Sequence, residues 1–288
     1  MGVFDPDLYG RTKHALAIAR IRNFCAGKKT LVAFSGGKDS QCCYHLCEEA
    51  GVPFTAQYSI TRFEPPELLR FVRENYPGVS FRRAYAKSLR AEIIESGLPN
   101  RWVRWCCDAK HRATPGFDIA VIGVRAEESA RRAKNWREFG FKHDHTAYVC
   151  PIIDWTTDDV WEYLSHKGVP HCSLYDEGWT RIGCVCCPLS SPAKMQRDAA
   201  RWPKTAAMLK EAARGFVERM RDMGFVTARG KPCADWCKAE NPAEEYWRRW
   251  ISTGQTAKPI EAAHENEDAP CLFAGTGFSE SDGAGETL

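Results

Sequence analysis

Leu31-Val32-Ala33-Phe34-Ser35-Gly36-Gly37-Lys38-Asp39-Ser40 decides the fold. Four apolar residues run into Ser-Gly-Gly-Lys-Asp-Ser, and Cys43, Leu46, Cys47 and Ala50 follow at helical spacing. The pattern predicts a buried parallel strand ending in a tight turn that opens a helix over residues 41–50. Two glycines let backbone N–H groups approach an anion closely, and the helix N-terminus adds its positive dipole end. Lys38 supplies a mobile cation, and Ser35 and Ser40 supply hydroxyl donors. The stretch is a phosphate cradle, but it lacks the GxxxxGK[ST] spacing of P-loop nucleotidases.

Outward from the cradle, helical and strand-like segments alternate. Helices are predicted over residues 9–25, 67–76 and 88–96, and strands over residues 54–60, 79–85 and 117–123. Such alternation implies a doubly wound parallel sheet of the α/β class, with ligands beyond the carboxyl ends of its strands. Ser35–Ser40 and Gly123–Arg125 both fall there. Beyond about residue 155 the strand pattern stops. Residues 156–166 read as a helix with Thr156 as N-cap and Asp158 and Asp159 in its first turn. Residues 192–223 are largely helical, and residues 242–252 form a last helix with Tyr246, Trp247 and Trp250. The expected organisation is a nucleotide-binding α/β domain over residues 1–155, a mainly helical subdomain over 156–253, and a disordered acidic tail over 254–288.

The 288 residues are 44% hydrophobic and 27% charged, the balance of an ordinary soluble domain. No apolar run is long enough to span a bilayer, and the N-terminus lacks a signal-peptide layout, so a cytoplasmic location is expected. Residues 261–288 hold seven Asp/Glu and no Lys/Arg, which leaves the preceding 260 with 40 Lys/Arg against 30 Asp/Glu. A basic body suits a polyanionic ligand, nucleotide or nucleic acid; a solvated surface has the same composition.

With no signal peptide, the 14 cysteines point to metal binding or catalysis rather than a disulfide framework. Cys25, Cys42, Cys43 and Cys47 sit on apolar helix faces and read as small core hydrophobes. Cys106 and Cys107 are adjacent among basic residues, and Cys184 and Cys187 form a C-x-x-C pair. Two such pairs can hold zinc or an Fe–S cluster, and thiolate softness permits either. Cys186 is an extra thiol, able to replace a ligand or stay free. Cys233 and Cys237 read as packing residues or a second metal pair. His143 and His145 read as surface residues, and Asp154 as a local cap.

Ser35–Ser40 resembles the PP-loop, SGGxDS, of the ATP-pyrophosphatase (adenine nucleotide α-hydrolase) superfamily. Other segments are similar to phosphoadenosine-phosphosulfate (PAPS) reductase relatives. Thr61-Arg62-Phe63-Glu64-Pro65-Pro66-Glu67 resembles their T-x-x-E-x-P-E, and Gly123-Val124-Arg125-Ala126-Glu127-Glu128-Ser129 their G-[IV]-R-x-x-E-S. Residues 151–161 resemble P-[IL]-x-D-W-T-x-x-D-V-W, and Val169-Pro170, Leu174-Tyr175 and Gly183-Cys184 follow the family order. The likeness covers roughly residues 28 to 190, and residues 181–203 look like phage- and mobile-element-borne members. The CC…CxxC layout is similar to the 4Fe–4S site of adenylyl-sulfate (APS) reductases, which implies Cys106, Cys107, Cys184 and Cys187 as ligands.

The resemblance implies ATP and Mg²⁺ held by Ser35, Gly36, Gly37, Lys38, Asp39, Ser40, Gly123 and Arg125. Lys38, Asp39 and Arg125 would carry catalysis. Arg125 would pair bidentately with phosphate, or else bridge to Glu127 or Glu128; Asp39 would hold Mg²⁺ or cap the helix. Three activities compete. One is ATP cleavage at the α-phosphate to activate a substrate for sulfur transfer to DNA or tRNA, with a sulfur-donor or ParB-like partner protein and the oligomeric state open. Another is APS/PAPS reduction to sulfite. The third is a nucleotide-binding regulator. Reductases of the family carry an SxSFG-type loop and a thiolate in an E-C-G-x-H segment. Here the Gly-Gly-Lys-Asp-Ser loop is intact, and Cys271 lacks the Glu and His neighbours, so the ATP reading is preferred.

Overall fold

The computed structural model describes residues 2–112, 115–142, 145–225 and 235–256. The expected tail from residue 257 onward, with Cys271, and also Cys233 and His143, lie outside the described residues. The first helix, α1, runs Lys13–Cys25 rather than from residue 9. Asp7 Oδ1 accepts from Tyr9 N and Arg11 N at 2.8 and 2.9 Å, holding a turn. Thr12 then caps α1 through Ala15 N at 3.0 Å.

The chain continues through β1 (Thr30–Ala33), α2 (Lys38–Ala50), β2 (Phe54–Ile60), α3 (Pro66–Asn75) and β3 (Ser80–Arg83). It then forms α4 (Leu89–Ser96), α5 (Trp105–His111), β4 (Ile119–Val121), α6 (Ala130–Asn135), β5 (Phe139–Phe141) and β6 (Ala147–Val149). The last elements are α7 (Thr157–Lys167), α8 (Pro192–Arg201), α9 (Pro203–Asp222) and α10 (Pro242–Thr253).

The strands form one sheet in the order β3-β2-β1-β4-β6-β5. Neighbours are parallel except β5, which pairs antiparallel to β6. The doubly wound parallel sheet expected from the alternation is present, with one antiparallel strand added at its edge. The chain moves outward from β1 through β2 to β3, then returns to the other side at β4. The switch point therefore lies between β1 and β4, where an open α/β sheet leaves a crevice for ligands.

Burial follows from the apolar patterns. Cys25, Cys42, Cys43 and Cys47 are all at most 1% exposed, as their helix faces predict. Thr156 caps α7 as read, and Asp159 adds the reciprocal half of a capping box: Asp159 N donates to Thr156 Oγ1 at 3.1 Å, and Thr156 N to Asp159 Oδ2 at 2.6 Å. Residues 192–223 split into two helices because Pro203 has no N–H to continue α8 and instead opens α9. α7 packs against α2, α4 against α9, and α10 against α8 and α9. Residues from both sides of position 155 share one core, from Val32 to Trp250. No helix among the described residues is long and apolar enough to cross a membrane.

Candidate nucleotide-binding site

The cradle lies between the end of β1 and the start of α2. Gly36 has φ +73°, and a Cβ there would meet Val72 Cγ2 at 2.5 Å. Both the backbone and the contact with α3 therefore require glycine. Gly37 is the N-cap of α2, at φ −79° and ψ 157°, and no side chain of its own caps the helix. Lys38 N donates to Tyr175 Oη at 2.9 Å. On the other side of the switch point, a Cβ at Gly123 would stand 2.8 Å from Asp39 O. That glycine lets the end of β4 close onto the first turn of α2.

Ser40 differs from expectation. Its hydroxyl donates to Gly37 O at 2.8 Å and accepts from Ser35 N and Ser35 Oγ at 3.1 and 3.2 Å. It staples the loop instead of presenting a donor outward. Lys38 is 4% exposed; its Nζ lies 3.3 Å from Asp39 Oδ2 and 3.5 Å from Thr180 O. Asp39 therefore couples the cradle lysine to the opposite strand, because its Oδ1 accepts from Arg125 Nε at 2.6 Å.

Arg125 is likewise engaged by protein groups. It is 2% exposed and its nitrogens are spent on protein partners. Nη1 reaches Glu127 Oε2 at 2.6 Å and Trp155 O at 3.4 Å, and Nη2 reaches Thr157 Oγ1 at 3.3 Å. Burial works against its charge, but Asp39, Glu127 and Glu128 outweigh it and raise the pKa. The alternative bridge to Glu127 is present, yet the guanidinium end is buried. Glu127 Oε2 also accepts from Thr157 N at 2.7 Å, tying the switch-point loop to α7. Arg125 thus holds Asp39 by its Nε. Asp154 is held bidentately by Arg20 of α1 at 2.7 and 3.0 Å, an ion pair across 134 positions in place of the expected local cap.

Three of the four expected thiols, Cys106, Cys107 and Cys184, act on one lysine, and Cys187 acts on Cys184. Lys110, on α5, has its charge favoured, against burial, by Cys184, Glu64, Cys107 and Cys106. Burial pushes the Cys184 thiol up to about 12, with Lys110 acting in the opposite sense. The loop of Cys184 is joined to the Thr61–Glu67 segment by Val185 N to Phe63 O at 2.7 Å. Within that segment, Glu64 Oε1 accepts from Thr61 N and Oγ1 at 2.9 and 2.7 Å. Glu64 Oε2 and Tyr58 Oη are buried without a hydrogen-bond partner. Cys186 turns away: it is 0% exposed, its N donates to Asp198 Oδ2 at 2.9 Å, and its Sγ lies 3.5 Å from Met195 O.

Among the described residues no group of three or more His, Cys, Asp or Glu is drawn together as one ion requires. A single zinc needs its thiolates at about 2.3 Å, whereas a multi-iron cube spaces them more widely. Cysteine sulfurs are the donor type of thiolate-ligated iron, and Cys106, Cys107 and Cys184 act on Lys110. Cys237 is half-buried in a short 3₁₀ turn, and His145 is exposed, as expected of a surface residue.

Sequence reasoning did not assign roles to Tyr175, Lys110, Glu64 or Asp198. Tyr175 and Glu64 lie inside the quoted Leu-Tyr and T-x-x-E segments, a signal that could have been followed. Nothing local distinguishes Lys110 or Asp198.

A glycine turn at the switch point of a six-stranded, mostly parallel sheet flanked by helices defines an α/β protein of the doubly wound class. The profile of the phosphoadenosine phosphosulfate reductase domain matches residues 29–190, and the chain belongs to that family. An uncharacterized protein of Methanocaldococcus jannaschii is 29% identical over 210 residues, which are 67% of this chain and 43% of that protein. An adenosine 5'-phosphosulfate reductase of Oceanobacillus iheyensis is 30% identical over 152 residues, 49% of this chain and 62% of the relative. An uncharacterized 37.8 kDa protein of the gpa 5' region of Escherichia phage 186 is 25% identical, covering 66% of this chain and 76% of its own. The chain thus spans less than two thirds of the first two relatives.

Proposed function

We propose that the cradle binds ATP with Mg²⁺ and that the protein cleaves it between the α- and β-phosphates, activating a substrate for sulfur transfer to a nucleic acid. The observation that carries this reading is the start of α2, which its own N-cap residue leaves without a side-chain cap and where Gly36, Gly37 and Lys38 form an intact turn at the switch point. First-turn amides and the helix dipole favour the β- and γ-phosphates there, and Lys38 supplies counter-charge. Asp39 Oδ2, only 3.3 Å from Lys38 Nζ, is the oxygen that would hold Mg²⁺. Bound Mg²⁺ would neutralise phosphate charge. Arg125 keeps Asp39 in position, which is its contribution here.

Cys106, Cys107, Cys184 and Cys187 are the residues that would hold a 4Fe–4S cluster, with Lys110 as counter-charge. When bound, such a cluster supplies a redox-active or sulfur-positioning centre. A second reading, APS or PAPS reduction to sulfite, is favoured by the relatives named adenosine 5'-phosphosulfate reductase. Anaerobically purified protein, assayed for pyrophosphate release from ATP beside sulfite release from APS and PAPS with a dithiol reductant, separates the two. Sulfite release without pyrophosphate release overturns the first reading. The acceptor assay should include DNA and tRNA.

A further inference from the structure

We propose that Tyr175 is a phosphate-binding residue of the cradle: its hydroxyl accepts from Lys38 N–H and donates its own hydrogen to a phosphate oxygen over Gly37. The proposal rests on the reading that the cradle takes a nucleotide polyphosphate, and it adds a residue from a distant loop. Lys38 N lies 2.9 Å from Tyr175 Oη, so the hydroxyl stands at the first amide of α2, where an anion would be held. A hydroxyl has one hydrogen to give beyond what it accepts. Among the described residues no acceptor takes that hydrogen.

The direction of the free donor follows from Gly37. A Cβ built there would stand 3.5 Å from Tyr175 Oη and 3.7 Å from Ser35 Oγ, with no other neighbour within 4 Å among the described residues outside its own chain neighbours. The open face of Gly37 is thus lined by two hydroxyls. Ser35 gives its hydrogen to Ser40 Oγ, so Tyr175 is the hydroxyl with a hydrogen for an oxygen in that space. The ring is held in place: Trp161 meets it edge-on at 4.9 Å and His171 at 6.1 Å. Lys38 Nζ lies 6.0 Å from its centroid. Burial keeps the hydroxyl protonated by raising its pKa, so it remains a donor through the neutral range.

The test is calorimetric titration of the full chain and Tyr175→Phe with Mg-ATP, inorganic pyrophosphate and AMP. Melting curves are recorded beside it. Phe keeps the ring contacts and removes the hydroxyl. Tyr175→Phe should bind ATP and pyrophosphate about tenfold or more weaker, the usual cost of a charge-assisted hydrogen bond. AMP, which lacks the outer phosphates, should bind equally to both proteins; Phe leaves Lys38 N–H without its acceptor, so the variant should melt slightly lower but still cooperatively. Equal or tighter pyrophosphate binding by the variant overturns the donor role, as does an equal loss for AMP. If the wild type binds neither ATP nor pyrophosphate, the nucleotide reading itself fails and takes this proposal with it.

Discussion

Replacing Gly37 by alanine should separate folding from ligand binding. The backbone there, φ −79° and ψ 157°, is extended and open to any residue. The new methyl would meet Tyr175 Oη at 3.5 Å and Ser35 Oγ at 3.7 Å, ordinary contact distances. Alanine is a poorer N-cap than glycine, so unfolding free energy should fall by about 1 kcal/mol or less. The same methyl fills the space over the first-turn amides. A phosphate oxygen must come within about 3 Å of an N–H to bond it, and it cannot share that space. Losing even one charge-assisted contact costs about 1.5–3 kcal/mol, so ATP affinity should drop at least about tenfold. Urea titration gives the stability and calorimetry the affinity. A folded Gly37→Ala protein that binds ATP within roughly twofold of wild type would refute a phosphate position over this residue.

Gly123→Ala should behave in the opposite way, because its Cβ would stand 2.8 Å from the backbone oxygen of Asp39; overpacking of this kind costs about 1–3 kcal/mol in urea unfolding. Gly183→Ala, with nothing within 4 Å of the added methyl, should stay within about 0.5 kcal/mol of wild type. Glu49 resists burial through hydrogen bonds from Lys167, Tyr163 and His14, which lower its pKa to about 2. A depressed carboxylate adds stability above its unfolded pKa of about 4.3 and loses it as pH falls through the folded value. Glu49→Gln should therefore be less stable on the order of 1–2 kcal/mol at neutral pH, with the gap closing between about pH 4.3 and about 2 in acid-unfolding curves. Anaerobic protein should carry about four irons; Cys184→Ser and Cys107→Ser should lose them, and Cys186→Ser should not, by iron and sulfide analysis. Stoichiometric zinc without iron would sink the cluster assignment.

Local chemistry made much of the chain legible. Strand β2 falls at Phe54–Ile60 as its apolar and β-branched run predicts, and Thr156 announces α7 by its cap. The edge was not legible. Strand β5 is only Phe139–Phe141 with a glycine at its centre, too short for any period to show. Helix α5 begins after Arg104, which caps nothing, so no start signal precedes it. In the site, the cradle residues follow from the loop itself, but their partners do not. Arg125 meets Asp39 across 86 positions, and Tyr175 meets Lys38 across 137. Strand order creates those contacts, and a linear pattern carries no trace of them.

The cysteines packed against the sheet bear on how the protein survives air. Burial raises the thiol pKa of Cys42, Cys43, Cys47 and Cys150. A thiol held protonated is a poor nucleophile, so these four are shielded from oxidants while the fold is closed. Unfolding exposes them together, with an ordinary thiol pKa near 8.5, and disulfide formation then competes with refolding. Heat inactivation in air should therefore be irreversible and scan-rate dependent, and a reductant should restore recovery on cooling.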